Sequence, residues 1–262
     1  LCDNFIDLGV EKIRLTGGEP LVRKDILHLI ENLNKKKSSS ILKEITLTTN
    51  GNLLKKFAKD LKNNGVKRIN VSLDTIVKEK YKEITRFGNL DNVLEGIEEA
   101  IRNNIKVKIN TVVFKNFNED QMTDLIKWAN KKLLDLTFIE VMPMSDTDIP
   151  RHMQFVSLDK KFKELNNVYS FDKSDYRTSG PSNYYISKKL NIKIGFITPL
   201  SNNFCATCNR VRISSTGKLY MCLGQNEFVD FREILRTDRG DDYIKEKIRF
   251  ALSVKPKRHD FI

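Results

Sequence analysis

The first 140 residues repeat a pattern in which a short apolar run is followed by an amphipathic stretch. The apolar runs are rich in Ile, Val, Leu and Thr, as strands buried in a parallel sheet are. The pattern predicts βαβ units and therefore an α/β fold, either a partial barrel or a doubly wound sheet. The predicted strands are Lys12–Thr16, Glu44–Thr49, Arg68–Leu73, Val107–Phe114 and Leu136–Met142, and the predicted helices are Ile26–Lys36, Leu53–Asn63, Leu90–Asn103 and Glu119–Lys132.

The pattern changes after about residue 145. Thr216-Gly217 lies between two short apolar runs and predicts a hairpin turn. We therefore predict a sheet domain over residues 1–145 and, over residues 146–262, a C-terminal α+β extension that covers its open side. The extension is predicted to contain loops at Ser145–Pro150 and Ser174–Ser182, strands at Ile192–Ile197, Arg210–Ser214 and Lys218–Cys222, and helices at Phe231–Arg236 and Tyr243–Leu252.

Charge and composition narrow the function classes. The 262 residues include 46 Lys+Arg and 34 Asp+Glu, a net charge of +12. The lysines are spread along the chain, which is typical of a solvated surface and favours a small anionic ligand over nucleic acid. No apolar run approaches the roughly 18 residues of a membrane span, so the sequence excludes an integral membrane protein.

The strongest chemical signal is the group of three cysteines Cys205, Cys208 and Cys222. Cys205 and Cys208 are spaced so that a tight turn can place both thiolates on one metal, and Cys222 arrives from the second strand of the predicted hairpin. The spacing is compatible with an iron–sulfur cluster that has one open iron. It is equally compatible with structural zinc, the fourth ligand coming from Cys2 or His259. Either reading indicates metal chemistry in a reducing compartment, for which we expect the cytoplasm.

Two further signals lie at strand ends and on strand faces. Thr16-Gly17-Gly18-Glu19-Pro20 follows the first predicted strand, so the backbone can approach a ligand closely and Glu19 can accept a hydrogen bond from an ammonium group. Arg210 and Arg212 lie two residues apart on a predicted strand and therefore share a face. Arg14 and Lys108 interrupt strands that are otherwise apolar. Such cations either pair with nearby acids or bind phosphate or carboxylate groups.

Together these motifs resemble the GTP 3′,8-cyclase family of radical S-adenosylmethionine (SAM) enzymes, which begins molybdenum cofactor biosynthesis. The resemblance covers essentially the whole chain. Its most specific part is the cysteine–arginine block from Phe204 to Arg212, followed by Gly217, Cys222 and Leu223. It also includes Ile13–Pro20, Thr48–Gly51, Asn70–Asp74, Val107–Asn110, Phe138–Pro143, Gly180-Pro181, Tyr184-Tyr185 and Gly195–Ile197.

The resemblance implies a fold and a set of sites. The fold would be an incomplete radical SAM (β/α)6-type barrel with an auxiliary cluster in the extension. Cys205, Cys208 and Cys222 would hold a [4Fe–4S] cluster whose open iron contacts guanine. GTP would be held by Arg14, Thr48, Lys108, Arg210 and Arg212. SAM would be held by Gly18, Ser72 and Met142, with Glu19 and Asn50 beside them, and no side chain is assigned as a catalytic acid or base.

The resemblance also implies the reaction and its partners. Radical cleavage of SAM would convert GTP to (8S)-3′,8-cyclo-7,8-dihydroguanosine 5′-triphosphate, a lyase reaction, and cyclic pyranopterin monophosphate synthase would accept the product. An electron donor would serve the clusters, and a homodimer is possible. We expect neither a membrane nor a nucleic acid as a partner.

Two departures from the family pattern concern the chain ends. The N-terminal three-cysteine motif that binds the SAM-cleaving [4Fe–4S] cluster is absent, and so is the C-terminal Gly-Gly. The chain also begins at Leu1 without an initiator Met. We therefore expect a fragment that is inactive by itself and has lost its first strand together with any organellar signal.

Two rival functions remain open. One is another radical SAM enzyme with an auxiliary cluster, such as a peptide maturase. The other is a non-catalytic zinc-binding module associated with nucleic acid, which would be colourless and bind in a salt-dependent manner.

Overall fold

A computed structural model of the protein describes residues 1–144, 151–178, 180–202, 204–237 and 239–259. The predicted loop Ser145–Pro150 lies outside the described residues. The helices are α1 (Cys2–Asp7), α2 (Ile26–Lys36), α3 (Leu54–Asn63), α4 (Lys78–Thr85), α5 (Leu90–Arg102), α6 (Met122–Lys131), α7 (Leu158–Tyr169), α8 (Phe231–Ile234) and α9 (Gly240–Ser253). The strands are β1 (Lys12–Leu15), β2 (Glu44–Thr49), β3 (Arg68–Ser72), β4 (Lys106–Val113), β5 (Asp135–Glu140), β6 (Asp172–Lys173), β7 (Asn183–Ile186), β8 (Ile194–Ile197), β9 (Arg212–Ile213), β10 (Lys218–Tyr220) and β11 (Phe228–Asp230).

The main sheet has eight strands in the order β1-β2-β3-β4-β5-β8-β7-β6. Strands β1 to β5 are parallel neighbours in chain order, and β8 pairs parallel with β5. Strands β7 and β6 then continue the sheet antiparallel. The stretch predicted as a covering extension thus also supplies three strands of the sheet itself. The predicted division at residue 145 stays a prediction.

The helices cover one face of this sheet because the strands turn every second side chain toward them. Ile45, Leu47, Ile69, Val71 and Ile109 alternate along β2, β3 and β4, and all are buried. The facing side of α5 is made by Val93, Ile97 and Ala100, at helical spacing. Gly96 lets α5 approach the start of α3 closely, since a Cβ there would lie 3.0 Å from the Cβ of Leu54.

The opposite face of the sheet is polar and is called the polar face below. It carries two rows of register partners, which are Thr48, Asn70 and Lys108 on β2, β3 and β4, and Asn110 with Thr137 on β4 and β5. The Lys108 ammonium reaches the hydroxyl of Tyr184 on β7, 3.2 Å away. Since β5 and β8 separate β4 from β7, this bond crosses three strand spacings of roughly 4.8 Å each. The polar face is therefore concave, as the inner face of a partial barrel is.

A second, smaller core joins the two ends of the chain. Phe5 of α1 packs with Leu219 of β10, Phe231 of α8 and Ile248 of α9. This core fixes the three-stranded antiparallel sheet β9-β10-β11 against α1. Gly217 makes the turn of the predicted hairpin, with φ of 87°.

Most predicted elements form, but several bounds differ from prediction. Helix α4 was not predicted, because its eight residues are largely polar and only Tyr81 is buried. Helix α7 and the short strands β6, β7 and β11 were also not predicted. The hairpin strands are shorter than predicted, and α9 is longer, extending from Gly240 to Ser253.

Within the described ranges, none of the helices is long and apolar enough to cross a membrane.

Candidate functional site

The carboxyl edge of the parallel strands is organised by Glu19. Its carboxylate accepts hydrogen bonds from the Thr49 hydroxyl at 2.7 Å and from the backbone N–H of Asn50 at 2.6 Å. It also accepts one from the backbone N–H of Leu21 at 3.0 Å, which caps the short helical turn Pro20–Val22. Glu19 therefore ties the loop after β1 to the end of β2.

This edge contains the residues predicted to hold SAM. Gly18 follows β1, Asn50 follows β2, Ser72 ends β3 and Met142 follows β5. Gly18, Asn50 and Ser72 are exposed, and Met142 is half-buried. Nothing lies within 4 Å of a Cβ placed on Gly18, so the backbone there is open to a ligand. The structure brings Glu19 and Asn50 into direct contact, while the SAM contacts themselves stay a prediction.

Lys108 is the most deeply buried cation of the polar face, with 7% of its surface exposed. Among the described residues it forms no ion pair, and its ammonium donates a hydrogen bond to the Tyr184 hydroxyl. Burial lowers the pKa of the Lys108 ammonium, and the positive charges of Arg14 and Arg68 lower it further, while Tyr184 acts in the opposite direction. Burial alone would raise the pKa of Tyr184, but Lys108 and a hydrogen bond to Thr178 outweigh it.

Arg14 lies on the edge strand β1 and is close to two other cations, Arg68 and Arg210. Desolvation lowers the pKa of the Arg14 guanidinium, and the charges of Arg68 and Arg210 lower it further. The carboxylate of Glu44 and the phenol of Tyr184 act in the opposite direction. Arg14, Lys108 and Arg210, all predicted to hold GTP, therefore gather at one concave surface that carries excess positive charge.

This surface contains one predicted GTP ligand, Thr48, and several residues to which the sequence analysis assigned no role. Thr48, a predicted GTP ligand, accepts a hydrogen bond from the side-chain amide of Asn70, with 3.3 Å between the two atoms. Asn70, Asn110 and Thr137 share the polar face but were assigned no role. The sequence could have revealed them, because they are polar residues that fall on one face of strands whose other residues are apolar. Tyr184 and Arg68 could not be placed without the curvature of the sheet.

The cysteine block lies beside the polar face. Cys205 begins a short helical turn (Cys205–Thr207), Cys208 ends it, and Cys222 follows β10. The Arg210 guanidinium lies 3.8 Å from the Cys208 sulfur. Burial raises the pKa of the Cys208 thiol, but the backbone and guanidinium of Arg210 and the charge of Lys255 outweigh it, so that the pKa is lowered overall. A lowered pKa favours the thiolate, which is the form that binds metals.

Arg212 and Lys255 complete the surroundings of the cysteines. Desolvation and the charge of Arg210 lower the pKa of Arg212, whereas Cys208 and Cys222 act in the opposite direction. Both thiols therefore lie within electrostatic range of one guanidinium. The Lys255 ammonium donates to the carbonyl oxygens of Arg210 and Met221, which ties the C-terminal segment to the residues just before β9 and just after β10.

No ready-made metal centre is present in the described ranges: no three His, Cys, Asp or Glu side chains are grouped so as to hold an ion. Cys2, considered as a fourth zinc ligand, lies in α1 near Ile6, Leu42 and Ile45, and burial raises the pKa of its thiol. His259 has its imidazole Nε2 3.1 Å from the carbonyl oxygen of Pro199. Within the part of the chain that the structure describes, Cys205, Cys208 and Cys222 are therefore not themselves grouped closely enough to hold an ion, and the zinc and iron–sulfur readings both stay predictions.

Comparisons with known proteins divide the chain between two families. The family described as Radical SAM superfamily matches residues 1–129, and the family described as Molybdenum Cofactor Synthesis C matches residues 134–261. The chain is also similar to solved structures of SuiB from Streptococcus suis. The SAM-bound form has a TM-score of 0.63 and 15% identity, and the match covers 93% of this chain and 59% of that one. At this identity the likeness shows the fold alone.

Curated relatives carry the finer assignment. Proteins named GTP 3′,8-cyclase from Brucella ovis, Brucella canis and Brucella suis are each 49% identical to this chain over 262 residues. Each match covers 100% of this chain and 76% of the relative. The Phe204–Arg212 block falls within the matched region, as do the strand-end motifs. The chain belongs to the GTP 3′,8-cyclase family of the radical SAM superfamily, which acts in molybdenum cofactor synthesis.

Proposed function

We propose that this protein is a GTP 3′,8-cyclase, which converts GTP to (8S)-3′,8-cyclo-7,8-dihydroguanosine 5′-triphosphate. The observation that carries the proposal is the 49% identity with proteins of that name across the whole chain. The concave polar face with its excess of cations supports it, because the substrate is a polyanion. The reaction is the first step of molybdenum cofactor biosynthesis, and its class is a radical lyase.

The polar face binds and orients the nucleotide. A triphosphate carries roughly four negative charges near neutral pH. Arg14, Lys108 and Arg210 make no ion pair among the described residues, so they are available to those charges. The buried Lys108 is held by Tyr184, which fixes the ammonium before the substrate arrives. Thr48 adds a hydroxyl group from β2, and Arg212 adds a guanidinium beside the cysteines.

The three cysteines fit an auxiliary [4Fe–4S] cluster by their donor chemistry. Thiolate is the ligand that such clusters require, and the surroundings of Cys208 favour it. Cys205, Cys208 and Cys222 would hold the cluster, and its open iron would supply a coordination position to the guanine base. Arg210 and Arg212 lie beside the cysteines and would compensate part of the negative charge of cluster-bound thiolates.

The carboxyl edge of β1 to β5 is the SAM side of the site. Membership of the radical SAM superfamily implies SAM and a [4Fe–4S] cluster, which together supply the radical chemistry. The protein's part is to hold the loop after β1 in place through Glu19, so that Gly18 presents an open backbone next to Asn50. Ser72 and Met142 bound the same edge from β3 and β5.

The wider assignments belong to the same proposal. The sheet domain would extend over residues 1–145 and the cluster-bearing extension over residues 146–262. The product would pass to cyclic pyranopterin monophosphate synthase in the cytoplasm, and an electron donor would reduce the clusters. A homodimer is compatible with these roles.

Anaerobic reconstitution tests the proposal directly. We expect a brown protein in which Cys208→Ser removes about four irons per chain, the content of one [4Fe–4S] cluster. Titration should show saturable binding of GTP in preference to ATP. Arg212→Ala should weaken GTP binding by about tenfold or more, the usual cost of losing a hydrogen bond to a charged group.

The matched control is Arg249→Ala, which removes an exposed guanidinium from α9 and should leave GTP binding unchanged. A colourless protein with tetrahedral zinc, or one that binds GTP and ATP equally, would contradict the proposal.

A further inference from the structure

Arg68 and Glu44 form an ion pair at the amino end of the polar face. They are the first residues of β3 and β2, and their side chains are 11% and 23% exposed. The Arg68 Nε donates to Glu44 Oε1 at 3.0 Å and one terminal nitrogen donates to Oε2 at 3.1 Å. The pair is a two-pronged fork that holds the guanidinium in one orientation.

The remaining nitrogen of Arg68 is buried without a partner. Among the described residues, five buried side-chain atoms lack a hydrogen-bond partner. Three of them belong to residues in the middle of the polar face, and a fourth belongs to Ser182 just before β7. The fifth is Arg68 Nη1, at the amino end of the same face. Leaving a buried polar atom unsatisfied is costly, and such atoms are rare in folded proteins. The orphan atoms are Arg68 Nη1, Asn70 Oδ1, Asn110 Oδ1, Thr137 Oγ1 and Ser182 Oγ.

The charge around Arg68 indicates what the missing partner is. The positive charge of Arg68 lowers the pKa of both Arg14 and Lys108, and the charge of Arg210 also lowers the pKa of Arg14. The carboxylate of Glu44 is shared with Lys12, whose ammonium lies 3.6 Å away. Several cations thus face one carboxylate. A water molecule would satisfy Nη1 but would leave this repulsion in place, whereas an anion removes both costs.

The position of Arg68 along the strands indicates which part of the ligand it meets. Asn70 pairs in register with Lys108, and Arg68 lies two residues nearer the amino end. Two residues of a strand span roughly 6.6 Å, so Arg68 reaches a part of the ligand that lies beyond the groups held by Lys108. The SAM side of the proposed site lies at the opposite, carboxyl edge. The part of the nucleotide that reaches Arg68 is therefore the part farthest from the reacting ribose.

We propose that Arg68 is a specificity-determining residue that binds the terminal phosphate of the nucleoside triphosphate, while Glu44 holds its guanidinium in place. This inference rests on the proposed function, since it takes GTP as the ligand. Arg68 thereby distinguishes the triphosphate from the diphosphate and the monophosphate. A lysine could pair with Glu44 but could not also present a second, rigidly directed N–H.

Nucleotide titrations test the inference. Binding of GTP, GDP and GMP is measured by calorimetry for the wild type and for Arg68→Lys. We expect the substitution to weaken GTP binding by about tenfold or more, as losing a hydrogen bond between charged groups does. GDP and GMP binding should change less than about threefold, because neither ligand reaches the contact that the substitution removes. Arg102→Lys, an exposed position on α5 that pairs with Glu99, is the matched control and should change nothing.

A second variant guards against a folding defect. Arg68→Met combined with Glu44→Met removes the ion pair without leaving a buried charge. It should bind GTP no better than GDP, with an unfolding midpoint near that of the wild type. Equal weakening of all three nucleotides by Arg68→Lys, or no change in the preference for GTP over GDP, overturns the inference.

The proposed function fails in a different way. If the nucleotide is not GTP, the wild type will not prefer GTP over ATP, yet the preference for triphosphate over diphosphate will still depend on Arg68. Inorganic tripolyphosphate serves as the base-free probe of the same contact.

Discussion

At the scale of single residues, the unusual group outside the polar face is Asp74. It follows β3, and one carboxylate oxygen accepts a hydrogen bond from the backbone N–H of Val112 at 2.7 Å. Burial raises the pKa of Asp74 to about 6, although that hydrogen bond acts in the opposite direction. The ordinary value for an aspartate is about 4. The folded protein therefore holds a proton at Asp74 in a pH range where the unfolded chain has lost it.

This sets the sign of a pH dependence. Between about pH 4 and pH 6 the folded state binds more protons at Asp74, so the free energy of unfolding falls as the pH rises through that range. Asp74→Asn keeps an oxygen acceptor for Val112 and removes the titration. We expect the free energy of unfolding of the variant to exceed that of the wild type by about 1–3 kcal/mol at pH 7 and by little at pH 4.

Urea unfolding at the two pH values measures this difference. Asp60→Asn, at an exposed position on α3, is the control and should not alter the pH dependence. If the free energies of unfolding of the wild type and of Asp74→Asn differ by the same amount at both pH values, Asp74 ionises as an ordinary aspartate and the prediction is wrong.

At the scale of elements, Glu140 joins segments that are distant in the chain. It ends β5 and is fully buried. Its carboxylate accepts hydrogen bonds from the backbone N–H groups of Leu158, Leu200 and Ser201, each at 3.1 Å, and from the Ser201 hydroxyl. These contacts attach the start of α7 and the segment after β8 to β5. One side chain thus fixes the part of the sheet contributed by the second half of the chain.

We expect Glu140→Gln to lower the free energy of unfolding by roughly 2–4 kcal/mol, because an amide offers one acceptor oxygen and turns a donor toward backbone N–H groups. Glu164→Gln, on the exposed side of α7 where Glu164 pairs with Lys161, should cost less than about 0.5 kcal/mol. Chemical unfolding of both variants checks this. Similar losses for the two would mean that Glu140 does not link these elements.

At the scale of the whole molecule, the two faces of the sheet serve different purposes. The helix-facing side is apolar and supplies stability. The polar face contains buried atoms that lack partners among the described residues, which costs stability, and these atoms are available to the proposed ligand. Thr111 and Thr137 make the contrast clear, since both are fully buried threonines. The Thr111 hydroxyl donates to the carbonyl oxygen of Leu73 at 2.7 Å, whereas that of Thr137 has no partner among the described residues.

Replacing each threonine by valine separates the two purposes. Thr111→Val should destabilise the protein by about 1–2 kcal/mol, since it removes a satisfied hydrogen bond and leaves an acceptor unpaired. Thr137→Val should leave stability unchanged or raise it by about 1 kcal/mol, yet weaken GTP binding. Thermal unfolding and GTP titration of both variants measure this. A Thr137→Val protein that is as destabilised as Thr111→Val would mean that the polar face is ordinary core.

The sequence by itself determined the order of the elements and the chemical groups. A strand has a period of two, so the alternation of Ile69 and Val71 with Arg68 and Asn70 is enough to assign each side chain to one of two faces. The spacing of Cys205, Cys208 and Cys222 likewise set the choice of metal chemistries, and the adjoining arginines pointed to the family.

Only the tertiary structure decided which distant segments complete the site. Local periodicity carries no information on curvature or on strand order beyond neighbouring units. The sequence therefore could not show that β8, β7 and β6 extend the parallel sheet, or that Tyr184 reaches Lys108 across it. It also could not show that one guanidinium nitrogen of Arg68 lacks a hydrogen-bond partner among the described residues. That follows from the pairing of β2 with β3, which brings Glu44 within reach of only two of its nitrogens.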